Sequence, residues 1–254
     1  MHQISARRAR DEPAPHVERD AAVVASFLSD AAHVAGGFAD GVAFPRTEAE
    51  VAALVRDAAR VLPIGAQSSL TGGATPRGEL VLSTRALCDV GRVLLDPPAG
   101  HTIRVGAGVR LTTLVPSLQT SRLYYPPVPT YDGAFVGGTI STNAAGAATF
   151  KYGSTRPWVV GLDLVLANGD LLQLLRGQVV ASPEGTFEIE LSSGRVVTVP
   201  VPTYRMPDVA KLSAGYYAKP GMDLIDLFIG SEGTLGVIVD AHLQLIKRPR
   251  RAVV

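Results

Sequence analysis

Cysteine is almost absent from this chain: Cys88 is alone among 254 residues, so no internal disulfide staples the fold. That scarcity fits a reducing compartment, and the cytoplasm is the expected location. Net charge is also nearly missing. The 24 Lys and Arg against 23 Asp and Glu leave a formal +1, with both signs interspersed. Such a field is too weak to draw in nucleic acid or a polyanionic surface. No apolar run reaches the length of a membrane span. The first twenty residues carry basic side chains but lack the apolar centre and small-residue cleavage site of a secretory signal. The five histidines, His2, His16, His33, His101 and His242, are scattered without ligand-like spacing, so no metal site is expected. No Lys-Ser/Thr pair follows Gly72-Gly73, which excludes a P-loop, and Leu111 stands where a Rossmann fingerprint beginning at Gly106 needs its third glycine.

What the chain does have is apolar residues and glycine. A 46% hydrophobic content is ample for a buried core in one large or two small domains. Residues 1–15 are charged, contain proline and show no period, as expected of a loose tail. Over residues 17–34 Val23, Val24, Phe27, Leu28 and Ala31 share one helical face, with Gly36-Gly37 as a stop. Thr47-Glu48-Ala49-Glu50 matches a capping box and predicts a second helix to about Arg60. Short buried strands are expected over 61–64 and 80–83, bracketing a loop of small residues. Beyond Asp89 the texture turns strand-like, at 92–95, 101–105 and 161–166, with Asn168-Gly169 as a hairpin turn. Residues 187–191 and 196–199 suggest another hairpin, and 106–111 a strand end turning into a helix. Two α+β subdomains meeting near residue 88 are the expected division, 16–88 and 89–254, after the tail.

Three segments offer chemistry. Residues 63–73, PIGAQSSLTGG, leave a strand with side chains small enough for successive N–H groups to turn around an anion, the Ser68, Ser69 and Thr71 hydroxyls adding donors. The alternative is an ordinary surface loop. Residues 124–153 stiffen through three prolines and then present amides and hydroxyls with almost no bulk, a surface suited to a flat, polar-edged ring or, equally, to a small-residue helix packed tightly on a sheet. Residues 228–238, FIGSEGTLGVI, place glycines at 230, 233 and 236 between a helical and an alternating segment. A turn of that kind lets backbone approach a ligand, or simply joins helix to strand.

In this order and spacing the three segments resemble the FAD-binding domain of the vanillyl-alcohol oxidase and p-cresol methylhydroxylase superfamily (PCMH-type). The strings FVGGTISTNAAG and GSEGTLGVI are similar to its glycolate oxidase and D-lactate dehydrogenase branch. The resemblance runs from about Phe44 to Pro249. It implies a two-subdomain α+β fold and a noncovalent FAD, since no histidine stands in the phosphate loop. By resemblance Pro63, Ile64, Gly65, Ala66, Gln67, Ser68, Ser69 and Leu70 cover the pyrophosphate. Asp132, Gly137, Gly138, Thr139, Ser141, Thr142, Asn143, Ala144 and Gly146 run beside pyrophosphate, ribitol and isoalloxazine. Glu232, Gly233, Gly236, Val237 and Ile238 meet the adenosine part. Tyr152 either lines the flavin or packs, and the role of Lys211 and Tyr216 is open. Ala145 departs from the glycine common at that position, which matters if the backbone there needs a positive φ.

The family also carries a C-terminal cap domain holding most catalytic groups, and here the sequence stops at Val254. The expectation is therefore a cofactor module of an oxidoreductase that turns a small-molecule 2-hydroxy acid into a 2-oxo acid, completed by a cap or a cap-bearing or electron-transfer partner subunit. No catalytic residue is assigned. The alternatives are a noncatalytic scaffold subunit, or an FAD enzyme of another substrate class, such as an alkylglycerone-phosphate synthase-like protein or an alcohol or sugar lactone oxidase.

Overall fold

The computed structural model describes residues 2–96, 100–209 and 211–249. In chain order its strands are β1 (Gln3–Ser5), β2 (Arg7–Arg8), β3 (Val17–Glu18), β4 (Gly41–Ala43), β5 (Val61–Ile64), β6 (Leu80–Ser83), β7 (Val90–Asp96), β8 (Gly100–Gly106), β9 (Leu123–Tyr124), β10 (Val159–Val165), β11 (Asp170–Leu175), β12 (Thr186–Glu190), β13 (Val196–Pro200) and β14 (Val237–Lys247). The α-helices are short: α1 (Ala21–Ala25), α2 (Glu48–Asp57), α3 (Leu111–Ser117), α4 (Val136–Ser141), α5 (Thr149–Tyr152) and α6 (Ile225–Phe228). The fold is α+β, as the sequence implies. Val254, where the sequence stops, lies outside the described residues.

The first sheet has the order β3-β4-β6-β5, with β4, β6 and β5 parallel and β3 antiparallel at one edge. Parallel strands need a crossover, and α2 lies on the connection from β4 to β5. Its start is fixed by capping. Thr47 Oγ1 accepts from the Glu50 N–H at 3.1 Å, and the Glu50 carboxylate accepts from the Arg46 N–H at 2.6 Å, one residue earlier than the motif implies. The buried side of α2, including Val51 and Leu54, packs toward β10, β11 and β14 of the second sheet.

That second sheet runs β2-β11-β10-β14-β8-β7, with β9 joining β14. The eleven-residue β14 is its central strand, antiparallel to both β10 and β8, and buried residues alternate with half-buried ones along much of it. The expected hairpin at Asn168-Gly169 forms: Gly169 takes φ +81°, and the Asn168 side chain accepts from the Asp170 N–H at 3.1 Å. β12 and β13 form the other expected hairpin.

Two expectations are corrected. The helix over 17–34 shrinks to α1. Residues 17 and 18 pair with β4, and Asp20 caps α1 by accepting from the Ala22 and Val23 N–H groups at 2.9 and 3.1 Å. From Ser26 onward, side chains compete for the backbone. The Gln67 amide donates to the Ser26 and Ser29 carbonyls, and Asp30 accepts from the Ala32 and Ala74 N–H groups. Phe27 is still buried, but in a cluster with Val42, Ile64 and Val81 instead of on a continuous helical face. The loose tail, too, is partly strand. β1 runs parallel to β12 and β2 antiparallel to β11. The Ala6 N–H donates to the Glu190 carbonyl at 2.8 Å, Ala6 and Ala9 are buried, and Arg7 pairs with Glu48 at 2.7 Å. Partners remote in sequence impose this order on residues with no readable period.

A candidate FAD cleft

β5 and β6 deliver their carboxyl ends to the same side, the edge at which parallel sheets take ligands. From β5 the chain turns through residues 65–73. From β6 it reaches Thr84, whose hydroxyl donates to the Ile64 carbonyl at 3.3 Å. The turn at residues 230–236 faces this edge from the second sheet. A Cβ on Gly233 would stand 2.7 Å from Pro63 Cγ, and Gly233 itself takes φ +82°, so only glycine allows the two segments to approach this closely. α4 forms the third wall: an added Cβ on Gly65 would lie 3.8 Å from Gly138 Cα.

Between these walls is a cleft of about 810 Å³, within the range of cofactor sites. Of the residues assigned by resemblance, Pro63, Ile64, Gly65, Ala66, Gln67, Ser68, Ser69, Leu70, Gly137, Gly138, Thr139, Ser141, Thr142, Ala144, Glu232, Gly233, Gly236, Val237 and Ile238 line it. The three segments, separated by up to about 170 residues in sequence, meet at one place.

The walls differ in what they offer. Ala66, Ser68 and Leu70 make no hydrogen bond to any other described residue, which leaves their N–H groups available for an anion. Ser69 and Thr71 hydroxyls bond each other at 2.9 Å. The Thr139 and Thr142 hydroxyls fold back on the Val136 and Gly138 carbonyls, so they contribute shape more than donors. The Gln67 side chain reaches away to the Ser26 and Ser29 carbonyls. Gln67, Asn143 and Glu232 are three of the five described non-glycine residues with positive φ, at 55°, 45° and 54°. Backbone strain of this kind persists only where surroundings enforce it and collects at ligand sites.

Four assigned residues do not line the cleft: Asp132, Asn143, Gly146 and Tyr152. Asp132 is exposed, its carbonyl accepting from the Thr112 N–H. Asn143 is buried with both ends of its amide satisfied, Oδ1 by the Arg156 N–H and Nδ2 by the Leu212 carbonyl, each at 3.0 Å. A Cβ on Gly146 would lie 2.0 Å from the Val128 carbonyl, so that glycine serves close packing. Ala145 lines the cleft without a positive φ, and its departure from glycine brings no left-handed strain. The Tyr152 ring stands edge-on to Tyr124 and Trp158. Conversely Ala31, Thr84, Thr130, Tyr131, Phe135, Lys211 and Ser213 join the lining. Thr130, Tyr131 and Phe135 fall within the 124–153 segment, and Lys211 has no role assigned by resemblance, whereas Ala31, Thr84 and Ser213 arrive by tertiary contact with nothing local in the sequence to single them out. Lys211 and Glu232 are the charged side chains of the described lining.

A smaller polar hollow of about 410 Å³ lies between the start of α2 and the second sheet, lined in part by Glu48, Asp89, Arg104, Asp163, Gln173 and Asp240. Several of its charges pair with one another. Arg104 Nη2 stands 2.7 Å from Asp163 and 2.9 Å from Asp240, and Gln173 donates to Asp163 at 2.9 Å. Burial holds the Asp240 carboxyl up at about 6, opposed by Arg104 and reinforced by Asp163, Glu48 and Asp89.

Residues 39–175 match the family described as FAD binding domain. The chain is 34% identical over 214 residues to a D-2-hydroxyglutarate dehydrogenase of Xanthomonas citri pv. viticola, covering 82% of this chain and 37% of the relative. It is 30% identical to the glycolate oxidase subunit GlcD of Bacillus subtilis, over 83% of this chain and 37% of that protein. A D-lactate dehydrogenase of Anaerostipes hadrus matches at 30% over 80% and 36%. The chain thus spans little more than a third of the length of each relative. Two structures of alkyldihydroxyacetonephosphate synthase superpose with TM-scores of 0.59 and 0.60 at 19% identity, over 85% of this chain and about a third of theirs, a likeness of fold.

Proposed function

The chain belongs to the FAD-binding domain family, and from that premise we propose that it holds FAD in the cleft between its two halves, as the cofactor module of an oxidoreductase acting on 2-hydroxy acids. The observation that carries this reading is the convergence of residues 63–70, 137–144 and 232–238 on one cleft of cofactor size. The free amides of Ala66, Ser68 and Leu70 suit a pyrophosphate. Gly138, where a Cβ would meet nothing within 4 Å, leaves room for a flat group against α4, and the Val237 and Ile238 backbone suits a base edge. Residues 16–88 and 89–254 are the two halves in this reading.

Bound FAD supplies a two-electron acceptor. This chain supplies position, backbone dipoles and exclusion of water from one side of the site. Glycolate, D-lactate and D-2-hydroxyglutarate, the compounds in the relatives' names, share a hydroxyl on the carbon beside a carboxylate. The substrate proposed here is of that class, oxidised to the 2-oxo acid. The base that removes the hydroxyl proton comes from a cap region or partner subunit. Leu70 and Tyr131 line the cleft yet are 78% and 56% exposed, apolar surface that a closing domain would cover. Anaerobic addition of the three acids tests the substrate class. They should bleach the flavin of the protein when its cap-bearing region or subunit is present, and leave the FAD-loaded chain alone unchanged. Bleaching by an alcohol or sugar lactone but by none of the acids would overturn it.

A further inference from the structure

Lys211 is the cation of the cleft's described lining, where Glu232 is the anion. Its ammonium makes no ion pair or hydrogen bond among the described residues. It sits between β13 and α6, where the described residues form no helix or strand but are nonetheless pinned at three points. The Asn143 amide donates to the Leu212 carbonyl at 3.0 Å. The Tyr216 hydroxyl bonds the Thr234 hydroxyl at 2.8 Å, on the glycine-rich turn. The Arg156 guanidinium lies 4.2 Å from the centre of the Tyr217 ring and donates to the Asp226 and Ile229 carbonyls at 2.5 Å. The first pin is itself held, since the Arg156 N–H donates to Asn143 Oδ1.

Resting on the FAD reading, we infer that Lys211 is the side-chain cation that pairs with the pyrophosphate, and that Asn143 is the positioning residue that holds it there through Leu212. A pyrophosphate brings two negative charges to a lining whose formal charges are Lys211 and Glu232, and Lys211, unpaired among the described residues, offsets one of them. Backbone amides supply dipoles, and Lys211 supplies the formal charge. Asn143 belongs to the site in this view without touching the cofactor. Its left-handed backbone and buried, doubly satisfied amide place the neighbouring segment.

The test compares binding of FAD and of riboflavin, which lacks the phosphates, to the unaltered chain and to three variants. Lys211→Met should weaken FAD binding about ten- to a hundred-fold, as expected for a lost bond to a charged group, and leave riboflavin binding unchanged. Its FAD affinity should also fall less steeply with added salt. Lys211→Arg should recover most of the loss. Asn143→Asp keeps the size and the left-handed tolerance but cannot donate to Leu212. It should weaken FAD selectively, and the double variant should lose no more than the worse single one, because both act through one contact. Equal FAD affinity for the unaltered chain and Lys211→Met would overturn the inference while leaving the cofactor reading intact. An equal loss for riboflavin and FAD would overturn it too, since that reports a general collapse of the cleft. Failure of the unaltered chain to bind FAD would overturn the cofactor reading and this inference with it.

Discussion

Gly137 and Gly138 are neighbours on α4 and face opposite demands. A Cβ at Gly137 would lie 2.7 Å from Ala107 Cβ and 3.1 Å from the Ala107 carbonyl, whereas at Gly138 it would meet nothing within 4 Å. Gly137→Ala should therefore destabilise the fold by about 1–3 kcal/mol, as overpacking does, and lower the melting temperature. Gly138→Ala should hold or raise it, because alanine favours a helix by about 1 kcal/mol over glycine. Its methyl enters the cleft, however, and FAD affinity should drop. Thermal melts and FAD titrations of the two variants check this, and the account fails at this point if both change stability alike. The sequence shows only a pair of adjacent glycines. Only the packing of α4 against Ala107 tells which one serves the fold and which the cleft.

The three central strands of the second sheet carry an electrostatic signature. The β10 to β14 register sets Asp163 directly opposite Asp240, a destabilising pair of like charges, and Arg104 from β8 stands between them. Because Asp240 titrates at about 6 in the folded chain against an ordinary 3.8, the folded state binds the proton more tightly than the unfolded one. Its contribution to stability is fully present below about pH 4 and is lost as pH rises through about 6, amounting to at most about 3 kcal/mol. Asp240→Asn should flatten the fall in melting temperature between pH 4 and 7, and an unchanged slope would contradict the assignment. At this scale much of the fold was legible. β5 and β6 coincide with the buried runs at 61–64 and 80–83, both hairpins announce themselves by turn residues, and Thr47 and Glu50 mark the start of α2. What failed to read was order imposed from afar. Beyond α1 the Gln67 amide takes the Ser26 and Ser29 carbonyls that a longer helix would use, and β1 and β2 form on partners about 160 to 190 residues away.

At the scale of the molecule, a four-stranded sheet with three parallel strands and a larger antiparallel one each bring a glycine-rich turn to a shared cleft, with α4 between them. The cleft was legible in sequence because cofactor walls need small residues, and runs of small residues are conspicuous. Its charge was less legible, since Lys211 reaches the cleft on an irregular segment whose placement depends on Asn143, Tyr216 and Tyr217. The chain spans little more than a third of its relatives, so reactivity toward a substrate is a separate matter from cofactor binding. The central claim is that this cleft binds FAD. The most direct measurement is an absorption spectrum of the purified chain after mixing with FAD and removing free ligand by gel filtration. The account predicts flavin bands at one equivalent per chain, released as intact FAD on denaturation. A folded chain that emerges colourless would contradict it.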